Sequence, residues 1–239
     1  MLVPGWDLAS SQKAVELSEK YPQLYAAVGI HPGEIQSNTQ ISVTGILELA
    51  SHPKVVAIGE IGLDYYHDSD HHSDNHLEQV ALLQQMLAIA SQTNKKVILH
   101  SRNSMPDMIE LLTVWAGSLK SIGHTLAGCP GVFHAYEGTL ADADILIKSG
   151  FKFGVGGPLT YKNAALKKEV FASLPVDHIL LETDSPYLSS QGHRGDRNEP
   201  AYLPNVGDLL SEIRGQPKDK LLLRIFENSY KMFIEDIIR

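Results

Sequence analysis

Five ionisable residues close short apolar runs, and all are of metal-ligand type. Glu60 lies just past Val55–Ile58 (VVAI), His100 past Lys96–Leu99 (KVIL), His134 past Gly131–Phe133 (GVF) and Asp184 past His178–Leu181 (HILL). His31 ends Leu24–Ile30 (LYAAVGI) in the same way. Two imidazoles and two carboxylates suit zinc, manganese or iron(II), and magnesium where waters complete the shell. Such a set polarises an ester and favours ionisation of water, with a carboxylate bridging two ions where two are present. Each residue alone has a plainer reading: a hydrogen-bonded loop histidine, a helix cap at Glu60, an Asx turn at Asp184 before Ser185-Pro186. Ligand types at four separate run ends favour the metal reading.

The elements that must hold these residues alternate along the chain. Apolar runs at Leu24–Ile30, Val55–Ile58, Lys96–Leu99, Gly131–Phe133, Phe151–Val155 and His178–Leu181 read as buried strands, with Met1–Pro4 as a seventh, short one. Gly59-Glu60-Ile61-Gly62 and Gly156-Gly157-Pro158 read as exit loops. Helical spacing marks Leu77–Ala90, Asp107–Trp115, Leu140–Lys148, Ala164–Ser173, Val206–Ile213 and Lys218–Met232. Apolar strands separated by helices imply a parallel sheet covered on both faces. Both an open doubly wound sheet and a (β/α)₈ barrel meet that description. No Gly-x-Gly-x-x-Gly loop follows a strand, and ionisable residues gather at the C-terminal ends of many strands, which favours the barrel.

The 239 residues are 43% hydrophobic and 20% charged, an ordinary globular balance that argues against disorder or a coiled coil. One domain spanning 1–239 is expected, with no apolar run of membrane-helix length and no signal peptide at Met1-Leu2-Val3-Pro4-Gly5. The one cysteine, Cys129, suits a reducing compartment, and a cytoplasmic location is expected. A net charge of -8 argues against a broad basic face for duplex DNA, so a nucleic-acid substrate would have to be gripped locally. Four histidines crowd the stretch His67–His76, where a polar loop capping the next helix is favoured over an auxiliary metal site. Cys129 reads as an incidental thiol and Gly156-Gly157 as a tight strand exit.

Taken together, the motifs resemble the TatD-type metal-dependent hydrolases and deoxyribonucleases of the amidohydrolase-like barrel group. The strings are Ala27-Val28-Gly29-Ile30-His31-Pro32, Gly59-Glu60-Ile61-Gly62-Leu63-Asp64-Tyr65-Tyr66 and Val97-Ile98-Leu99-His100-Ser101-Arg102. Gly131-Val132-Phe133-His134, Glu182-Thr183-Asp184-Ser185-Pro186-Tyr187-Leu188 and Gly195-Asp196-Arg197-Asn198-Glu199-Pro200 follow in the same order. His31-Pro32-Gly33 and Gly156–Tyr161 are similar to the YjjV-like branch.

The resemblance implies an α/β, TIM-like barrel holding one or two divalent ions (magnesium, manganese or zinc) and hydrolysing phosphodiester bonds in DNA. Glu60 would lie between two metals, His100 and His134 would ligate one, and Asp184 would ligate the other or act as base. Arg102 would meet a substrate phosphate, as would Arg197 and Asn198, with Asp64, Tyr65 and His31 lining the substrate side of the mouth. Family members open with a His-x-His strand that has no counterpart here, so the barrel is expected to lack its first βα unit. The expected activity is exonucleolytic cleavage of DNA ends or single strands. The alternatives are hydrolysis of another ester, lactone or aminoacyl ester on the same scaffold, or a truncated, impaired metal-binding protein.

Overall fold

The computed structural model describes residues 1–35, 39–66 and 75–235. The expected metal-loop stretch at residues 67–74 lies outside them. The chain divides into two compact units, Met1–Val132 and Phe133–Arg239.

In the first unit, strands β1 (Leu2–Pro4), β2 (Tyr25–Val28), β3 (Val55–Asp64) and β4 (Lys96–Arg102) pair in chain order, each parallel to the next. Helices α1 (Leu8–Lys20), α2 (Thr39–Ala50), α3 (His76–Thr93) and α4 (Met105–Ser121) alternate with them. On α4 the buried residues Met108, Leu112, Ala116 and Leu119 recur every three or four positions, one stripe of the helix. The strands bury nearly everything: Ala27, Val28, Ala57, Ile58, Ile61, Leu63, Val97 and Leu99 have no exposed surface. Such runs have no polar face, the mark of parallel strands buried on both faces.

Two helices of this unit, α1 and α2, were not predicted from periodicity. The buried face of α1 is Ser11, Ala14, Val15 and Ser18, too small and polar to register as an apolar stripe. Polar contacts help to fix it beside the apolar packing of Ala14 and Val15. Asp7 caps the N-terminus by accepting from the Ser10 N–H at 2.7 Å, and Ser11 Oγ accepts from the Gly29 N–H at 3.2 Å.

Strands β3 and β4 also run further than their apolar runs suggest. Pairing continues through Ile61↔Leu99, Gly62↔His100, Leu63↔Ser101 and Asp64↔Arg102. Gly59–Gly62 is therefore strand, not exit loop, because parallel pairing is indifferent to the glycines that read as a turn in sequence.

Strand β5 (Gly131–Phe133) ends the first unit and contributes Phe133 to the second, which goes on with α5 (Leu140–Lys148), β6 (Lys152–Val155), α6 (Ala165–Ser173) and β7 (Ile179–Leu181). Helices α7 (Leu203–Arg214) and α8 (Lys218–Phe233) follow. β6 and β7 pair in parallel, Gly154 opposite Leu180 and Val155 opposite Leu181. Phe133, Tyr136, Phe151 and Phe153 form an aromatic cluster with ring centroids 4.6 to 5.9 Å apart for the Phe133–Tyr136, Phe133–Phe151 and Tyr136–Phe153 pairs. Burial, helped by the charges of Asp142 and Asp144, pushes the Tyr136 phenol above its ordinary range, and its hydroxyl donates to the Thr139 carbonyl at 2.8 Å. From α8, buried Asn228 donates to the carbonyls of Val176 (2.8 Å) and Ile179 (3.0 Å), fixing the start of β7.

Candidate metal centre

In the first unit, strand register builds a carboxylate–imidazole–carboxylate row. Opposite His100 on β4 stands Gly62 on β3, and Asp64 follows two residues on, which places its side chain on the same face. The register shift between Ile58 and Ile61 falls where Glu60 sits, and a bulge of that kind re-aims a side chain. Glu60 Oε1 lies 3.0 Å from His100 Nδ1, and Asp64 Oδ2 lies 3.1 Å from Nε2. Gly62 makes the approach possible. A Cβ there would lie 1.9 Å from the His100 carbonyl oxygen, and its φ is +153°.

Both carboxylates are acceptors only, so an imidazole between them holds two protons. Burial alone would lower the His100 pKa, but hydrogen bonds to Asp64 and Glu60 and their charges raise it to about 9. Burial likewise pushes Asp64 up. It is outweighed by the hydrogen bonds from His100 and the Tyr66 N–H and by the charges of His100 and Arg102, which bring it down to about 2. His31 completes the group. Its ring meets the His100 ring edge-on with centroids 4.4 Å apart, and its Nδ1 accepts from the Gly33 N–H at 3.1 Å. One ligand atom from each of His31, Asp64 and His100 lies within 4.8 Å of the others. Nitrogen and carboxylate donors converging around a site held together by an extra proton fit a divalent cation in that proton's place.

The second unit repeats the row. His134 Nδ1 lies 2.9 Å from Glu182 Oε2 and Nε2 lies 2.7 Å from Asp184 Oδ1. Glu182 also accepts from the Ala135 N–H. Glu182 and Asp184 leave the end of β7 two residues apart, so both side chains project to one side. Room for the Glu182 carboxylate comes from Gly154, where a Cβ would lie 2.1 Å from Glu182 Oε2.

The structure thus brings Glu60, Asp64, His100 and His31 together in one unit, and His134 and Asp184 in the other. Glu182 was absent from the expected set, and Asp64 was expected to line the pocket, not to bond His100. Strand alternation around Asp184 and Gly62 was the signal for both. Arg102 is half-buried, its guanidinium carbon 3.5 Å from the centroid of the Tyr66 ring. Tyr65 donates to Asp107 Oδ2 at 2.8 Å and stacks on His76 at 3.7 Å. Arg197 is exposed. Asn198 is 4% exposed, and its amide nitrogen donates to Thr183 Oγ1 (3.2 Å) and the Tyr187 carbonyl (2.6 Å). That bonding makes Asn198 a brace for the turn after Asp184, a different place from the phosphate contact expected of it.

The family model described as "TatD related DNase" matches residues 1–234. The metal-dependent hydrolase YabD of Bacillus subtilis is 34% identical over 98% of this chain and 86% of its own length. The 3′-5′ ssDNA/RNA exonuclease TatD of Escherichia fergusonii is 31% identical over 90% of this chain and 80% of its own. Among solved structures, the TatD homologue YjjV of Escherichia coli K12 superposes with a TM-score of 0.85. It shares 32% identity over 97% of this chain and 85% of that one. The fold is accordingly the α/β architecture of the TatD barrels. With two histidine–carboxylate donor sets in place, the chain belongs to the TatD family of metal-dependent hydrolases.

Proposed function

We propose that the chain hydrolyses phosphodiester bonds in DNA, releasing nucleotides from single strands or ends. The observation that carries this reading is the doubled donor row, a histidine bonded by carboxylates on both ring nitrogens in each unit. The exonuclease activity named for the Escherichia fergusonii relative supports it. His31, Asp64 and His100 would hold one divalent ion, and His134 with Asp184 would be donors to a second; Glu60 and Glu182, on the opposite ring nitrogens, would steady the two imidazoles or reach an ion once those hydrogen bonds open. A divalent ion supplies positive charge against an ester oxygen and makes water a stronger acid.

The chain's own residues do the rest. Asp184, its carboxylate oriented by His134, accepts a proton from the attacking water. Arg102 offers a planar fork of donors suited to nonbridging phosphate oxygens. Stacked on Tyr66, it loses less freedom on binding than a free side chain would.

The test is release of nucleotides from end-labelled single-stranded DNA with magnesium, manganese or chelator, alongside Asp184→Asn. Release should require metal and fall about 10²–10⁴-fold in the variant. A folded, metal-loaded chain that leaves DNA intact while cleaving a lactone or aminoacyl ester would overturn the substrate assignment and keep the hydrolase one.

A further inference from the structure

We propose that Tyr187 is the platform on which an unpaired nucleobase of the substrate stacks, an assignment that rests on the nuclease reading above. Tyr187 lies three residues past Asp184, and its backbone is tied at both ends. Its N–H donates to the Asp184 carbonyl at 2.7 Å, and its carbonyl accepts from the buried Asn198 amide at 2.6 Å. Asn198 also reaches Thr183, so one buried side chain fixes the turn on both sides of Asp184. Yet the Tyr187 side chain is left 74% exposed. Packing does not account for a large ring held in water on so firmly braced a backbone.

The charges nearby explain why a ring would be useful. Arg197 is exposed beside the turn, and so are Asp196 and Glu199. With Asp184 they set three carboxylates against one guanidinium, a poor track for a polyanion. Stacking needs no charge, since every base presents a π-face, and it is available only where the base is unpaired. On the Ser185–Pro186 side of the turn is a hollow of about 410 Å³, walled also by Arg197, Asn198, Glu199 and Pro200.

The experiment compares the full chain with Tyr187→Ala, Tyr187→Phe and Tyr187→Trp. Each is checked for an unchanged melting temperature, as expected for an exposed ring. Binding of a single-stranded oligonucleotide containing 2-aminopurine near its end is followed by fluorescence quenching, and nucleotide release is followed with manganese. Tyr187→Ala should weaken binding and raise KM about tenfold, while the aromatic variants stay near wild type. An oligonucleotide with an abasic residue at the stacked position should remove the difference between wild type and Tyr187→Ala. Tyr187→Ala should also narrow the preference for single-stranded over blunt duplex ends.

Wild-type release with an unaffected Tyr187→Ala overturns the stacking assignment alone. So does a Tyr187→Phe as impaired as Tyr187→Ala, which would indicate the hydroxyl. A wild-type chain that neither binds nor cuts the oligonucleotide overturns the nuclease reading together with this one.

Discussion

His100 and Glu182 show how individual side chains set the chemistry. The proton held on His100 between Glu60 and Asp64 must leave before the ring can ligate a cation, so metal uptake releases it. With the pKa raised to about 9, apparent affinity for manganese should climb by up to about tenfold per pH unit up to that value and then level off. Calorimetry in buffers of differing ionisation enthalpy reads both the affinity and the protons released. The sign for the metal-free fold is opposite: a raised histidine pKa contributes stability fully present below about 6.5 and lost as pH rises through about 9. At Gly154, an added methyl meets the flexible end of Glu182, not backbone. Gly154→Ala should leave the melting temperature nearly unchanged and reduce metal-dependent turnover about tenfold or more, the scale of a displaced catalytic group.

Elements place these residues, and the strand pair β3–β4 is the most demanding. Gly62→Ala would drive a Cβ into the His100 backbone, where no side chain can yield, at a φ that disfavours L-residues. A loss of about 3 kcal/mol or more in denaturant unfolding is expected, beyond ordinary overpacking. Asn228 makes a comparable demand on β7: Asn228→Leu keeps the branched shape but leaves two carbonyls without their side-chain donor. That should cost about 1–3 kcal/mol. Element identity was legible in the apolar stripe of α4 and was lost on α1, where Ser11 and Ser18 share the buried face, and on α2, whose buried Val43, Ile46 and Ala50 make only a short stripe. Strand ends were misjudged for the same reason. Apolar runs stop where side chains become functional, but the hydrogen-bonded ladder of β3 carries on to Asp64.

For the whole molecule, a net charge of -8 leaves little general attraction for a polyanion. Among the described residues no helix is long and apolar enough to cross a membrane. If DNA is held by two or three local phosphate contacts, the logarithm of its affinity should fall against the logarithm of salt with a slope of about -2. A slope of about -5 or steeper would mean a basic track that the composition does not suggest. The match to TatD relatives over nearly the full chain fixes the hydrolase class, while the nucleic-acid specificity is what the proposed binding and release experiments test.

The amino-acid sequence by itself determined the order of the strands and of the helices from α3 onward, the kinds of donor available and the run ends that carry Glu60, His100, His134 and Asp184. Those follow from local rules: apolar patterning selects the element, and the residue that breaks the pattern marks its functional end. Only the tertiary structure decided which carboxylate each histidine meets. His100 and Glu60 are 40 residues apart in the chain, and His134 and Glu182 are 48. Whether their atoms come within 3 Å depends on strand register, a bulge and two glycines that let chains approach. A hydrogen bond is decided over tenths of an ångström, and nothing local in the sequence measures distance across a sheet.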